Sequence, residues 1–434
     1  MPLYPGLYEQ LDYLDALHLL IGQRFARAEP RERVRLYLRG LLSSVERRNG
    51  WQLAAVSGEK YPDGMQRLLS SAHWNAEKVR DDLCAFIVGY AADNNSVLVI
   101  DEWRFHKKGN RSVGVDLQRS ADNRRSENVQ TGLFLTYATR TGRFLIDREL
   151  YLPPSWANDH SLRRIGRIPE SVVYRSTAEL GASMVARALA ARVPVGWVGA
   201  STPWGNDQRL RAFLERHRVP FVLGIPLAAR LPLLVDGRVH RCTAEVAAAL
   251  VPPDAWTPQP QQIEAPNPSR RYRWTQLPLS SPERAWMARS LLLRRGVNTV
   301  AENLRGYLCY AGRGTSLVEL AEVTSVIDGN TSVLASACEN VGLNEYEVRQ
   351  WMSWYRYTTL ALAAHSCLVL AGGADGSTAH VSSATSLSPG AGNSQRRNSP
   401  TDPAKEQLCP NPRLPTLRPL NARPDPYASR QAAI

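Results

Sequence analysis

The sequence predicts an α/β protein whose mixed sheet is flanked by helices and preceded by an all-helical amino-terminal domain. Three observations lead to this prediction. Apolar residues recur at helical spacing up to about residue 92, strand patterns dominate from Val97 to Leu152, and helices then alternate with strands up to Ile225. We therefore expect one sheet that is covered by helices.

Length and composition describe a large, mostly globular and strongly basic chain. Its 434 residues are 44% hydrophobic, and 53 lysines and arginines against 40 acidic residues give a net charge of +13. This excess favours a polyanionic partner such as nucleic acid, although an anionic membrane surface would also attract it. The six cysteines lie far apart without zinc-ligand spacing, which is typical of reduced thiols in a cytoplasmic protein. Neither a secretion signal nor a membrane-spanning run is predicted.

The amino-terminal domain, residues 1–92, is predicted to contain short helices rich in arginine. The arginines that crowd its second helix and the exit from that helix are Arg24, Arg27, Arg31, Arg35, Arg39, Arg47 and Arg48. Such a face suits DNA phosphates, and small helices joined by tight turns resemble a helix-turn-helix reader. The alternative is a basic helix face that is only solvated.

The stretch from Val97 to Gly114 contains the candidate catalytic carboxylate. Four apolar residues lead directly into Asp101 and Glu102, so we expect a buried strand to end at these acids, where α/β folds place their chemistry. The candidates for phosphate contact in the basic loop that follows are Lys107, Lys108 and Arg111. An acid at a strand end beside a basic turn suits a metal held next to a phosphate. An ordinary strand end with a solvated turn is the alternative.

The strands after Asp101 form a meander that continues into alternating helices and strands. Their order up to Ile225 is β-β-β-α-β-α-β, which is the order of a ribonuclease-H-like sheet. Prolines and interleaved arginines and tryptophans then predict an insert at about residues 226–297. This insert either grips nucleic acid or is a surface subdomain held in place by its aromatic residues.

The sheet is expected to resume near Leu308, and helices complete this domain, which spans residues 93–371. The predicted helices are Leu317–Val326, about Thr331–Asn340 and Glu345–Leu370. Residues 372–434 are rich in Gly, Ser, Ala and Pro and poor in hydrophobic residues, which predicts a disordered low-complexity tail.

Six segments, spread from about Phe25 to Leu370, carry a resemblance to a known family. They are RFARAEPRERVRLYLRGLLSSVERRNGWQLA, PDGMQRLLSSAHW, VLVIDEWRFHKKGNRSVGV, RSENVQTGLFLTYAT, DRELYLPPSW and NVGLNEYEVRQWMSWYRYTTLALAAH. In this order they resemble DDE-type transposases of bacterial insertion sequences, most closely the insertion sequence 701 group. The resemblance implies a ribonuclease-H-like catalytic domain that acts on DNA.

The resemblance also implies three carboxylates that bind two Mg²⁺ or Mn²⁺ ions about 3.5 to 4 Å apart. Asp101 stands at the first position and serves as catalytic residue and metal ligand. Ser201 stands where the second acid is expected, and Thr331 stands where the third is expected when residues are counted back without gaps from the last of the six segments. Neutral hydroxyls cannot offset two divalent charges. Asp207 and Asp328 could replace the lost acids, but we interpret both as helix-end residues.

The resulting hypothesis is a transposase-like protein of an insertion sequence, with impaired metal-dependent strand cleavage and transfer. Its partner would be double-stranded DNA with terminal inverted repeats, bound as a homodimer in the nucleoid of the bacterial cytoplasm. A decaying element copy and a domesticated, non-catalytic DNA-binding regulator both fit this hypothesis. A separate hypothesis is an unrelated enzyme that uses Asp101, Glu102, His106 and Lys107 as a new site.

Overall fold

The computed structural model describes residues 7–119, 125–258, 272–280, 286–297 and 303–372, with side chains from residue 12 onward. Of the tail predicted to be disordered, only Gly372 lies within the described residues. No helix in these ranges is both long and apolar enough to cross a membrane.

Five helices form the amino-terminal part of the described chain. They are α1 (Leu7–Ile21), α2 (Ala28–Leu41), α3 (Gly50–Val56), α4 (Asp63–Ser70) and α5 (Ala76–Ala91). Asparagine side chains cap two of them: Asn49 accepts hydrogen bonds from the first backbone amides of α3, and Asn75 does the same for α5. The caps fix where these helices begin and satisfy amides that would otherwise have no partner.

The amino-terminal helices share one hydrophobic core with the last helix, α13 (Trp351–Gly372). Almost every residue of α13 from Ser353 to Cys367 is buried, and α1, α2, α4 and α5 pack around it. Arg356 of α13 donates hydrogen bonds to three backbone carbonyls, one in the last turn of α4 and two in the connection between α4 and α5. The amino-terminal segment is therefore built onto the carboxy-terminal helix.

The remaining elements surround a large sheet. The strands are β1 (Val97–His106), β2 (Val115–Arg119), β3 (Ser126–Ala138), β4 (Arg143–Leu150), β5 (Trp197–Ala200), β6 (Phe221–Ile225), β7 (Arg230–Val235), β8 (Arg238–Thr243), β9 (Thr257–Pro258), β10 (Tyr272–Pro278), β11 (Met287–Gly296) and β12 (Arg305–Gly312). The other helices are α6 (Pro154–Ala157), α7 (His160–Gly166), α8 (Thr177–Ala190), α9 (Gln208–Arg216), α10 (Ala244–Leu250), α11 (Leu317–Asp328) and α12 (Asn330–Val341).

The main sheet is mixed and has ten strands. Its order is β2-β3-β1-β5-β6-β12-β11-β10-β9, with β4 also paired to β3, while β7 and β8 form a separate two-stranded sheet. β1, β5 and β6 are parallel, and the other pairs are antiparallel. The prediction of a mixed sheet with flanking helices is confirmed.

Alternate residues of β1 face two different helical layers, as strand geometry requires. Leu98 and Ile100 belong to the larger hydrophobic cluster, and Ile100 lies beside Gly181 of α8. Val97 and Val99 belong to the second cluster, which contains the buried residues of α11. The residues of β1 with odd numbers therefore face α11 and α12.

A buried ion cluster joins α5 and α8 to the sheet. Asp147 of β4 is 3% exposed and contacts Arg80 of α5 at 2.8 Å and Arg187 of α8 at 2.9 Å. Burial alone would raise the pKa of this carboxyl, but Arg187, Arg80 and Arg148 together hold it below its ordinary value. Removing one partner would leave an uncompensated buried charge.

The structure differs from the sequence prediction at three elements. β1 does not end at Asp101 but continues to His106, because all ten of its residues pair with β3. Residues 226–297, predicted as an insert, contain β10 and β11, which extend the main sheet beyond β12 and bury Trp274 and Leu291. The last helix begins at Trp351 instead of Glu345.

Candidate active site

Asp101 lies where the parallel part of the sheet ends. The parallel pairing of β1 with β5 ends at Ile100 and Ala200, so Asp101 and Ser201 are the next residues of two neighbouring strands. β5 is also parallel to β6, with Ala200 paired to Leu223. The carboxyl ends of parallel strands are where α/β sheets bind ligands. Asp101 and Ser201 therefore share the sheet edge that suits a reaction site.

The carboxylate of Asp101 has two hydrogen-bond donors. The side-chain amide of Asn330 donates to Oδ2 at 3.1 Å, and the backbone N–H of Glu102 donates to Oδ1 at 2.9 Å. Burial raises the pKa of Asp101 above its ordinary value, and these two hydrogen bonds act in the opposite direction. Asp101 is thus a largely buried carboxyl. The described side chain that donates a hydrogen bond to it, the amide of Asn330, is neutral.

Asn330 is the residue of α12 that reaches Asp101. It is 1% exposed and is the first residue of α12, directly after Gly329, which separates α12 from α11. Its Oδ1 is buried and has no hydrogen-bond partner within the described residues. Thr331, the predicted position of the third acid, is exposed and makes no such contact. The structure therefore brings Asn330, one residue before Thr331, into contact with Asp101.

The two acids considered as replacements for the expected second and third carboxylates are engaged elsewhere. Asp328 is the last residue of α11, so it does not share a helix face with Thr331, and it forms an ion pair with Arg294. Asp207 caps α9 by accepting a hydrogen bond from the backbone N–H of Leu210 at 2.8 Å. Neither carboxylate is recorded in contact with Asp101.

Ser201 follows a tightly packed strand end. A Cβ atom on Gly224 of β6 would lie 2.5 Å from the backbone nitrogen of Thr202 and 2.8 Å from the carbonyl carbon of Ser201. Glycine at position 224 thus allows the two backbones to approach closely. The carbonyl of Ser201 accepts a hydrogen bond from the N–H of Trp204 at 3.1 Å, which shapes the turn after β5. Ser201 supplies only a hydroxyl at this sheet edge.

The predicted basic loop does not lie next to Asp101. Because β1 continues to His106, Lys107 is six residues beyond Asp101, or roughly 20 Å at a rise of about 3.3 Å per residue. The expectation that the basic loop lies beside Asp101 is therefore wrong, whereas the phosphate contacts of Lys107, Lys108 and Arg111 stay a prediction.

The basic residues of this loop have different environments. The ammonium group of Lys107 lies 3.5 Å from the ring centroid of Tyr346, and burial lowers its pKa to about 8. Lys108 and Arg111 are exposed. His106 is 2.8 Å from the carboxylate of Glu127. The structure therefore does not join the four residues of the alternative enzyme hypothesis into one site.

Most of the amino-terminal arginines predicted to contact DNA have partners inside the protein. Arg24 binds both carboxylate oxygens of Asp82 at 2.6 Å, and Arg35 binds those of Asp15 at 2.9 and 3.1 Å. Arg31 donates to the carbonyls of Gly22 and Phe25. These contacts hold the amino-terminal helices to one another.

Four further arginines complete this set. Arg48 donates to two backbone carbonyls and lies 3.4 Å from the carboxylate of Glu345, and Arg39 lies 3.8 Å from Asp15. Arg27 and Arg47 are exposed, and their guanidinium groups have no partner within the described ranges. Arg27 and Arg47 are the members of the predicted set that remain available to a phosphate.

The fold agrees with a comparison against known families. A model of the family DDE superfamily endonuclease matches residues 18–286, which is more than half of the chain. The chain belongs to the DDE superfamily endonucleases. Its ten-stranded mixed sheet with flanking helices has the ribonuclease-H-like architecture that the sequence predicted. No curated protein matches it closely enough to count as a relative.

The residues of this DDE superfamily member do not fit the divalent metal ions that such endonucleases usually use. No group of three or more His, Cys, Asp or Glu that could hold a metal occurs in the described part of the chain. Around Asp101 the available groups are the amide of Asn330 and the hydroxyl of Ser201, because Glu102 projects from the opposite face of β1. One carboxylate does not offset two divalent charges.

Sequence reasoning missed Asn330 because it counted without gaps from the closing segment. The signal that could have found it is Asp328-Gly329, a dipeptide typical of turns. A break at this dipeptide starts a new helix at Asn330, and the first residue of that helix is the one that reaches β1.

Proposed function

We propose that this DDE superfamily member is a transposase-like protein of a bacterial insertion sequence that binds DNA but has impaired strand cleavage and transfer. The observation that carries the proposal is the contact at the site, where the amide of Asn330 faces Asp101. In this family the bound metal ions supply an activated water and stabilise the leaving oxygen of the DNA strand. Because the residues present do not fit a metal pair, no cleavage step follows from them.

DNA binding is supported by the family and by charge. The family acts on DNA, and the chain carries a net charge of +13. Phosphate contacts by lysine and arginine need no metal, so binding is expected to persist in EDTA and to weaken as salt rises. A homodimer that joins two DNA ends is part of the proposal, because strand transfer needs both ends at one place.

The test combines a nicking assay with a binding assay on one DNA, a duplex that carries the repeats flanking the gene. We expect salt-sensitive binding without Mg²⁺-dependent or Mn²⁺-dependent nicking, and Asp101→Ala should bind like the unaltered protein. Nicking that Asp101→Ala abolishes would show a working nuclease and contradict the proposed impairment. Loss of DNA binding in a folded Asp101→Ala variant would contradict metal-independent binding.

A double variant with two added carboxylates provides the corresponding gain-of-function test. Ser201→Asp with Asn330→Glu places carboxylates at both positions that flank Asp101 at the sheet edge. We expect this variant to recover metal binding before it recovers nicking, because orientation of the ligands by surrounding groups also contributes to activity. Metal binding is measured with Mn²⁺ by calorimetry, beside the unaltered chain.

A domesticated DNA-binding regulator is the second candidate. Two observations favour it. The core around α13 is fully packed, and the site has one carboxylate where the family resemblance implies three. The DNA around the gene distinguishes an element copy from a domesticated regulator. Flanking inverted repeats and short target duplications indicate an element copy, whereas co-transcribed genes without repeats indicate a regulator.

A further inference from the structure

The β7–β8 hairpin follows directly from the sheet edge that carries Asp101. β6 is parallel to β5 and ends at Ile225, and β7 begins at Arg230. The strands pair without a register shift, from Arg230 opposite Thr243 to Val235 opposite Arg238. Asp236 and Gly237 form a two-residue turn with φ of 47° and 73°. Positive φ at both positions is the geometry of the favoured hairpin turn, which fits an Asp-Gly pair.

One face of this hairpin is anchored to the protein. Leu231, Leu233 and Val235 of β7 are buried in the larger hydrophobic cluster. The backbone N–H of Ser280 donates to the carbonyl of Pro232 at 2.8 Å, and Leu233 forms a β-bridge with Leu279. The hairpin is therefore held in a fixed place on the sheet.

The rest of the hairpin is a basic, solvent-exposed ribbon. Arg230, Arg238 and Arg241 are all exposed, and none has an ion pair or a side-chain hydrogen bond within the described ranges. Asp236 in the turn is the single acid between residues 230 and 243. This ribbon therefore contrasts with α2, whose Arg35 is bound to Asp15. Its positive charge is available to a partner.

The ribbon also presents an apolar pair near its tip. Leu234 and Val239 lie directly opposite each other and are 37% and 52% exposed. Apolar side chains can contact the methyl group of thymine in the major groove, which is wide enough to admit a two-stranded β-ribbon. Arg230 and Arg241 project from the same face as this pair, whereas Arg238 lies on the other face and is exposed beside the turn. Arginines at these exposed positions are suited to the phosphates that border the groove.

We infer that the β7–β8 ribbon is a DNA-contacting element, with Arg230, Arg238 and Arg241 on the backbone phosphates of a duplex. The inference rests on the proposed function and specifies which surface holds the DNA. Charge complementarity is the argument for this partner, because three unneutralised guanidinium groups favour a polyanion. The ribbon lies in the region that the sequence assigned to an insert, whereas the sequence placed the DNA contacts mainly on α2.

The test compares two double variants of the full-length protein on one duplex. The ribbon variant is Arg238→Gln with Arg241→Gln. The matched control is Arg192→Gln with Arg216→Gln. Both arginines are exposed: Arg192 follows α8, and Arg216 ends α9. Because α8 precedes β5 and α9 precedes β6, these arginines lie at the sheet edge opposite to the ribbon. Both variants remove two positive charges from the surface. Unfolding curves confirm that each is folded.

We expect the ribbon variant to lower DNA affinity on the order of tenfold at low salt and to reduce the salt slope, d log K/d log[salt], by about 2. The control should stay within about twofold of the unaltered protein, because its charges lie away from the DNA. Arg238→Lys with Arg241→Lys should recover most of the slope, because lysine keeps the charge.

Four outcomes would overturn the inference. Equal losses in both glutamine variants would indicate a general charge effect, and unchanged affinity in the ribbon variant would exclude the ribbon while leaving the proposed function intact. A change in oligomeric state with unchanged affinity would make the ribbon a protein interface. If the unaltered protein binds no duplex even at low salt, the proposed function fails together with the ribbon assignment.

Discussion

Replacing Asn330 with Asp tests the site geometry most directly. The substitution puts a second carboxylate where the amide now lies, about 3.1 Å from Oδ2 of Asp101. With an effective dielectric constant of about 20, two unit charges at this separation repel by about 5 kcal/mol. Because burial already raises the pKa of Asp101, one of the two carboxyls should keep its proton near neutral pH.

The sign of the pH dependence follows from this shared proton. A carboxyl whose pKa is raised in the folded state destabilises the protein as pH rises above its unfolded pKa of about 4. We therefore expect Asn330→Asp in EDTA to lose on the order of 2 to 4 kcal/mol of unfolding free energy near pH 8, and much less near pH 5. A divalent cation that binds both carboxylates at a hundredfold excess over its Kd should return about 2.7 kcal/mol.

The assay is urea unfolding at both pH values, in EDTA and in Mg²⁺. Thr331→Asp is the matched control: it adds the same charge one residue later, on an exposed side chain without contact to Asp101. We expect its stability to stay within about 0.5 kcal/mol and to be independent of the metal. If Asn330→Asp responds to neither pH nor metal, Asn330 does not face Asp101. If Thr331→Asp responds instead, the gap-free alignment is right.

Two further predictions concern buried cationic groups. Arg356→Met should cost about 3 to 5 kcal/mol in urea unfolding, because it leaves three backbone carbonyls without a donor, and a loss below about 1 kcal/mol would contradict the packing of α13. For Lys107, burial lowers the pKa to about 8, so the unaltered protein should gain stability as pH rises from about 8 towards 10.5. Lys107→Met should lack this gain, and parallel stability curves for the two proteins would refute the burial of the ammonium group.

The position of Asp101 could be predicted because its signal is local. A run of apolar residues followed by two acids marks a buried strand and the residue that leaves it. The strand boundary could not be predicted, because β3 pairs with β1 well beyond the end of its parallel pairing with β5. The distance from Asp101 to Lys107 depends on that boundary. The basic loop was consequently placed too close to the acid.

The contact of Asn330 with Asp101 could not be predicted, because neighbouring residues of a helix point to different sides. Successive residues on an α-helix are turned by about 100°, so an error of one position replaces a buried side chain with an exposed one. The count without gaps did not allow for the break between helices at Gly329, and it therefore selected Thr331. Only the end of α11, fixed by its packing against the sheet, determines which residue meets β1.

The partners of the arginines were equally hidden from the sequence. Arg24 pairs with Asp82, 58 residues away, and Arg48 lies beside Glu345, 297 residues away. A cluster of arginines in the sequence therefore indicates charge but not availability, because acids from distant elements can neutralise it. The hairpin arginines look unremarkable in the sequence, yet the fold leaves them exposed, and their guanidinium groups have no partner among the residues that the structure describes.

The changes at the site and the charge of the surface support the same mode of DNA binding. Three carboxylates at a sheet edge repel the phosphate backbone until bound cations neutralise them. Here Ser201 and Asn330 are neutral, so neither adds to the repulsion that Asp101 exerts on a strand that approaches this edge. If the second and third carboxylates are lost as proposed, the electrostatic cost of holding DNA without metal is therefore lower as well. We therefore expect the protein to bind DNA as tightly in EDTA as in Mg²⁺, with the ribbon arginines supplying the attraction.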